Sequence, residues 1–163
     1  MPATVQTQED KSQILRDKIK SLKKLYPHTH AVLLPALYAA QELYGWLSDK
    51  AIEDVSRHTG MPTAEIKGVV TFYSLFKTRP MGRHIIYLCT NVACLVMGAD
   101  TLEVYLEKTY GLSNGETTTD GRFSLVIMEC IGACDKAPAM LVNDDWHYGL
   151  TVDNLKEILD TYK

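Results

Sequence analysis

The sequence predicts a mixed protein of the α+β or α/β class: an N-terminal helical bundle followed by a domain of order β-α-β-β-β-α. Three observations predict it. Apolar residues recur at helical spacing as far as Phe76. Beyond the connection Arg79-Pro80-Met81-Gly82, short continuous apolar runs appear that read as buried strands. All four cysteines lie beyond that connection, each pair beginning where a predicted strand ends.

Taken in order, residues 1–8 are polar and unpatterned and read as a frayed terminus, which sets the expected division at 1–8, a helical domain at 9–80 and a second domain at 81–163. Between Glu9 and Tyr26, Leu15, Ile19, Leu22 and Tyr26 fall on one helical face, and Pro27 ends the segment. The Ala- and Leu-rich stretch Ala31 to Tyr44 forms a second helix with Pro35 in its first turns or kinking it, closed by Gly45. Ser48 is an N-cap for a third helix that Gly60 terminates. Pro62 suits the first turn of a fourth, with Ile66, Val69, Tyr73 and Phe76 on one side.

In the second domain, Ile85 to Leu88 is a strand that delivers Cys89. Leu95 to Tyr110 returns to helical period, with Leu95, Ala99, Leu102 and Leu106 on one face and Gly111 as stop. After the Asp120-Gly121 turn, Phe123 to Met128 is a strand that delivers Cys130. Ala139 to Val142, an acidic turn at Asn143-Asp144-Asp145, Trp146 to Leu150 and a helix from Asp153 to Tyr162 complete the order. A helical crossover makes the first two strands parallel neighbours.

The chain has 163 residues with 17 Lys+Arg against 20 Asp+Glu, a net charge of -3, which argues against nonspecific nucleic-acid binding. With 46% hydrophobic residues there is material for a core, and no apolar run approaches a membrane span. No export pattern precedes the first helix, so the expectation is a soluble, intracellular protein with no direct membrane insertion.

In that setting, four cysteines suit reduced thiols serving as metal ligands better than disulfides. The pairs are Cys89-x4-Cys94 and Cys130-x3-Cys134, separated by 35 residues. Ends of neighbouring parallel strands share one sheet edge, so two loops bring four sulfurs together. Four thiolates suit tetrahedral zinc or an iron-sulfur cluster, and the residue types alone do not separate these. The loops favour the cluster: they are wider than a usual zinc knuckle and almost wholly apolar or small. Val92, Leu95, Met97, Met128 and Ile131 are expected to exclude water, Ala93 and Ala133 to leave room, and Gly132 to permit close backbone approach. The spacing fits neither the bacterial four-iron run nor the plant-type triplet, leaving a two-iron site with one loop pair per iron. Such a cluster carries a formal charge of about -2, or about -3 when reduced. No Lys or Arg lies between His84 and Glu107, and a low reduction potential is expected.

The run Cys89-x4-Cys94, then Cys130-Ile-Gly-Ala-Cys134-Asp-Lys-Ala-Pro138 and Asn143-Asp144-Asp145, behind Gly68-Val-Val-Thr-Phe-Tyr-Ser-Leu-Phe76, resembles the thioredoxin-like 2Fe-2S ferredoxin family. The likeness is to its branch serving as the small flavoprotein-partner subunit of NADH:quinone oxidoreductase, respiratory complex I. It extends over nearly the whole chain after the first residues. The resemblance implies a thioredoxin-like C-terminal domain and one 2Fe-2S cluster ligated by Cys89, Cys94, Cys130 and Cys134. It implies an electron carrier beside an FMN- and NADH-binding subunit, with further iron-sulfur subunits, on the cytoplasmic face of the inner membrane. The chain would be part of an enzyme, a translocase, without a complete active site or catalytic residues of its own. It has no Gly-rich dinucleotide fingerprint, in keeping with FMN and NADH on the partner. Equivalent subunits of NAD(P)-linked hydrogenases and formate dehydrogenases, a free-standing 2Fe-2S ferredoxin, and a zinc-stapled interaction module are the alternatives.

Other features read more plainly. His28 and His30 flank a helix linker and are expected at the surface, and Asn143-Asp144-Asp145 is turn chemistry. Phe72 to Phe76 reads by default as core, and the resemblance raises a partner contact there. Asp135 and Lys136 either tune the site or solvate its loop. Pro138, before the third strand, suggests a cis peptide. A disulfide oxidoreductase would need a C-x-x-C pair, which is absent.

Overall fold

The computed structural model describes residues 7–163. They form two compact units, one ending at Pro80 and the other starting at Met81. The expected frayed segment lies outside the described residues up to residue 6. Its last two positions are structured: Thr7 is a capping-box N-cap and Gln8 starts the first helix.

The first unit holds α1 (Gln8–Leu22), a 3-10 turn (Thr29–Val32), α2 (Leu33–Tyr44), α3 (Asp49–Thr59) and α4 (Thr63–Phe72). Helix α1 stops four residues before the expected Tyr26, whose ring is exposed and adds nothing to the apolar face. Pro35 sits in the first turn of α2, where its missing N–H costs no helical bond. Ser48 caps α3 by accepting from the Ala51 N–H at 3.2 Å. Pro62 stands just before α4 rather than within it. Leu15, Ile19, Leu37, Val55 and Ile66 are among the fully buried side chains of this core. Asp54 is buried too, and it is satisfied. The Tyr44 hydroxyl donates to it at 2.7 Å, Arg57 pairs with it, and Lys50 lies at 3.6 Å. Burial works to raise its carboxyl, but these partners together hold it below the ordinary carboxylate range. Tyr44 in turn is pushed well up by burial and by the carboxylate it serves.

The second unit holds β1 (His84–Cys89), α5 (Val92–Val96), α6 (Ala99–Tyr110), β2 (Phe123–Met128), β3 (Ala139–Val142), β4 (Asp145–Tyr148) and α7 (Val152–Thr161). The sheet order is β2-β1-β3-β4. The crossover makes β1 and β2 parallel, from His84↔Phe123 to Cys89↔Met128, while β3 runs antiparallel to both β1 and β4. Ile86, Leu88, Leu125 and Met140 pack with Leu102 and Leu106 of α6 and Leu155 and Leu159 of α7. The loop after α6 covers the β2 edge: Asn114 Oδ1 accepts from the Ile127 N–H at 3.0 Å, and the Glu116 carbonyl accepts from Leu125 at 3.1 Å.

Two expectations are corrected in this unit. The segment from Leu95 to Tyr110 is two helices, because Gly98, with φ of 98°, breaks the chain into a left-handed turn and starts α6 afresh. The β3–β4 turn is two residues, since Asp145 pairs with Val142 and belongs to β4, which ends at Tyr148. Asn143 supplies the positive φ of 56° that such a tight hairpin needs. The Ala137–Pro138 peptide is cis.

Candidate metal centre

Parallel pairing decides where the cysteines arrive. Cys89 is the last residue of β1, opposite Met128, the last residue of β2, and Cys130 follows two residues later. Both loops therefore leave one sheet edge. Asn91 starts α5, a helix of five residues that turns Cys94 inward. Cys89 and Cys94 are buried beside Ala99, with Ile131 and Ala137 packed against them. The second pair differs: Cys130 lies in irregular chain, Cys134 opens a 3-10 turn to Lys136, and both are exposed.

All four cysteines are free thiols. They associate as two pairs. Cys94 is pushed up first by burial and then by a hydrogen bond with Cys89, with the Ala139 N–H working in the opposite direction. Cys134 is pushed up chiefly by its hydrogen bond with Cys130. The Cys89 thiol also donates to the Glu129 carbonyl at 3.7 Å, linking the first pair to the second loop. Thiols raised in this way stay protonated near neutrality, so a metal must displace their protons to bind. Among the described residues, no three His, Cys, Asp or Glu side chains gather closely enough to hold a single metal ion. The pairs are near enough that Cys134 also acts on Cys94 and Cys89 on Cys134, so one sheet edge offers the four thiol donors that a two-iron cluster would need. The residues present fit a 2Fe-2S cluster.

The expected dry shell is only half formed. Val92, Leu95 and Met97 are 71%, 49% and 61% exposed, a correction to the sequence reading. In so short a helix, facing Cys94 inward turns its neighbours outward, and the break at Gly98 releases Leu95 from the face it was expected to share with α6. Ala133 is buried, while Ile131 and Met128 are half-buried. At Gly132 the reason for glycine is conformational: φ is 83°, and a Cβ there would meet no atom within 4 Å. The contribution of the Ala139 N–H went unseen in the sequence, because a backbone donor at a strand start leaves no residue signature. The break at Gly98, read through as helix in the sequence, did carry a signal, since a glycine inside a helical run lowers the case for an unbroken helix.

A family model for thioredoxin-like 2Fe-2S ferredoxins matches residues 19–163. The chain belongs to this family. Among curated proteins, this ferredoxin is 38% identical over 149 residues to the second of the E subunits of NADH-quinone oxidoreductase in Rhizobium meliloti, covering 91% of this chain and 89% of that one. It is 37% identical over 148 residues to the E subunit of NADH-quinone oxidoreductase in Escherichia coli K12, with the same coverage. Among solved structures, a chain of an NAD+-reducing NiFe hydrogenase in the air-oxidized state superposes with a TM-score of 0.66 at 28% identity. That match covers 79% of this ferredoxin but 23% of the hydrogenase chain.

The remaining candidates fall outside the site. His28 is exposed, and His30 lies 3.0 Å from Glu65 in a surface pair. The Phe72–Phe76 stretch divides: Phe76 is buried against Tyr38 at 5.1 Å between ring centroids, while Phe72, Tyr73 and Leu75 are exposed, against the default core reading. Asp145 accepts from the Tyr162 hydroxyl at 3.0 Å, a structural role. Among the described residues no helix is long and apolar enough to cross a membrane.

Proposed function

We propose that this ferredoxin is the small electron-carrying subunit of an NADH:quinone oxidoreductase, and that Cys89, Cys94, Cys130 and Cys134 ligate its 2Fe-2S cluster. The observation that carries the reading is the delivery of both cysteine pairs to one sheet edge by the parallel strands β1 and β2. Relatives of nearly the same length that are named as E subunits of NADH-quinone oxidoreductase support the parent complex. The cluster supplies one-electron chemistry when bound. The chain's own part is to hold four thiolates, to bury the first pair, and to direct the Ala139 N–H at Cys94. Electron transfer of this kind needs no nucleophile or general base.

FMN and NADH then belong to a flavoprotein partner, with further iron-sulfur subunits beyond it, and the assembly lies on the cytoplasmic face of the inner membrane. Residues 9–80 and 81–163 act as separate domains, the first adding surface for partners through Phe72, Tyr73 and Leu75. The similarity to a hydrogenase chain favours one second reading, the equivalent subunit of an NAD-linked hydrogenase.

Anaerobic affinity purification of the tagged chain from its own cells decides between them. Recovery of a stoichiometric FMN-containing partner with NADH-dependent quinone reduction is the expected result. Recovery with hydrogen-dependent NAD+ reduction would replace complex I by hydrogenase. A lone monomer would leave a free-standing ferredoxin.

A further inference from the structure

The segments that carry the cysteines are almost without positive charge. No lysine or arginine occurs from His84 to Glu107, and from Phe123 to Leu155 the only one is Lys136. Lys136 closes the 3-10 turn that Cys134 opens, so their Cα atoms lie within about 7.6 Å of each other.

This lysine is held. Its N–H donates to the Ala133 carbonyl at 3.0 Å, and its own carbonyl accepts from the Gly149 N–H at 2.9 Å. Its ammonium lies 4.7 Å from the centroid of the Tyr148 ring. Tyr148 is itself stacked on Trp146, with centroids 5.8 Å apart and planes at 19°. None of the ion pairs among the described residues involves Lys136. An exposed lysine ordinarily spreads its charge over many rotamers, whereas an aromatic face confines it. A cation confined on the turn that carries Cys134 favours the reduced state of a centre held there, because the attraction grows with the added charge.

We propose that Lys136, held by Tyr148, is a positioning residue that raises the reduction potential of the cluster. The inference rests on the cluster placement proposed above. Reduction adds one electron, from dithionite in the test below, and takes the formal charge from about -2 to about -3. No covalent bond changes and no proton need move.

The test is EPR-monitored potentiometry on the anaerobically purified full chain, comparing wild type with Lys136→Gln, Lys136→Arg and Tyr148→Leu. At low ionic strength Lys136→Gln is expected to lower the midpoint, equivalent to about a fivefold fall in the equilibrium constant for reduction. Lys136→Arg is expected to restore it. Tyr148→Leu, which leaves the charge but frees it, is expected to shift the midpoint the same way by less. The wild-type-to-Gln gap should shrink as salt approaches about 1 M. An unchanged midpoint in a Lys136→Gln protein with full iron and an intact signal would overturn the role of Lys136 and leave the cluster standing. Should Lys136→Gln fail to load iron, a Tyr148→Leu midpoint equal to wild type would overturn it instead. Absence of any cluster signal in the wild-type protein would overturn both.

Discussion

The two cysteine pairs are chemically alike and physically unlike. Cys89 and Cys94 are both 2% exposed, one ending a central strand and the other within a helix. Cys130 and Cys134 sit on a loop whose only regular structure is one 3-10 turn, and both are open to solvent. The contrast teaches that the fold encloses one pair and leaves the other at its surface. Strand pairing and the packing around Ala99 bury the first pair, while the second pair stands on a loop open to solvent.

The largest effect expected from this difference is on cluster loading. Cys89→Ser and Cys94→Ser should lose the most iron, because the shorter serine hydroxyl is fixed by a buried backbone and no water reaches in beside it. Cys130→Ser and Cys134→Ser should keep a measurable fraction, since a serine oxygen or water can approach an exposed iron. Iron and sulfide analysis of the four variants checks this, and equal loss from both pairs would break the comparison.

Next comes the core beneath the first pair. Leu88→Ala removes a fully buried side chain one residue before Cys89 and is expected to cost about 2–5 kcal/mol, read as a fall in the unfolding midpoint. In the second loop, Gly132→Ala adds a methyl where there is space but where φ is 83°, so about 1–2 kcal/mol of conformational strain is expected. That strain should appear as weaker iron retention against a chelator and a modestly lower unfolding midpoint. Unchanged values of both would show that the backbone at Gly132 is not fixed at positive φ.

The smallest effect concerns acid, and it falls on neither pair. Asp54 has a folded carboxyl held below its unfolded value, so its contribution is present above the unfolded pKa of about 4 and is lost as pH falls through the folded value. Helical stability measured by circular dichroism should decline over that window, and Asp54→Asn should flatten the decline while lowering stability at neutral pH. Hydrogen exchange at Ile85 to Cys89 should stay slow throughout, if the two units respond separately.

Much of this was legible because it is periodic or punctuated. The strand runs Ile85–Leu88 and Phe123–Met128, the Ser48 cap and the Gly60 stop all appear where local chemistry puts them. The cysteine spacing, with a helical crossover, was enough to bring both pairs to one sheet edge. The failures share a cause, which is that orientation over one or two residues depends on tertiary context. Leu95 has the right spacing for the α6 face but lies before the break at Gly98. Phe72 and Phe76 are equally apolar, and only packing with Tyr38 buries one of them while the other is 77% exposed. Two hydrogen bonds of the site come from main-chain groups, the Ala139 N–H and the Glu129 carbonyl, which composition does not record.

The most direct test of the central claim is iron, zinc and acid-labile sulfide on protein matured under iron-replete conditions and purified anaerobically, with EPR after dithionite. About two irons and about two sulfides per chain, with an S = 1/2 signal on reduction, are expected. One zinc per chain without sulfide would contradict it, and would recast the cysteine pairs as the staple of an interaction module.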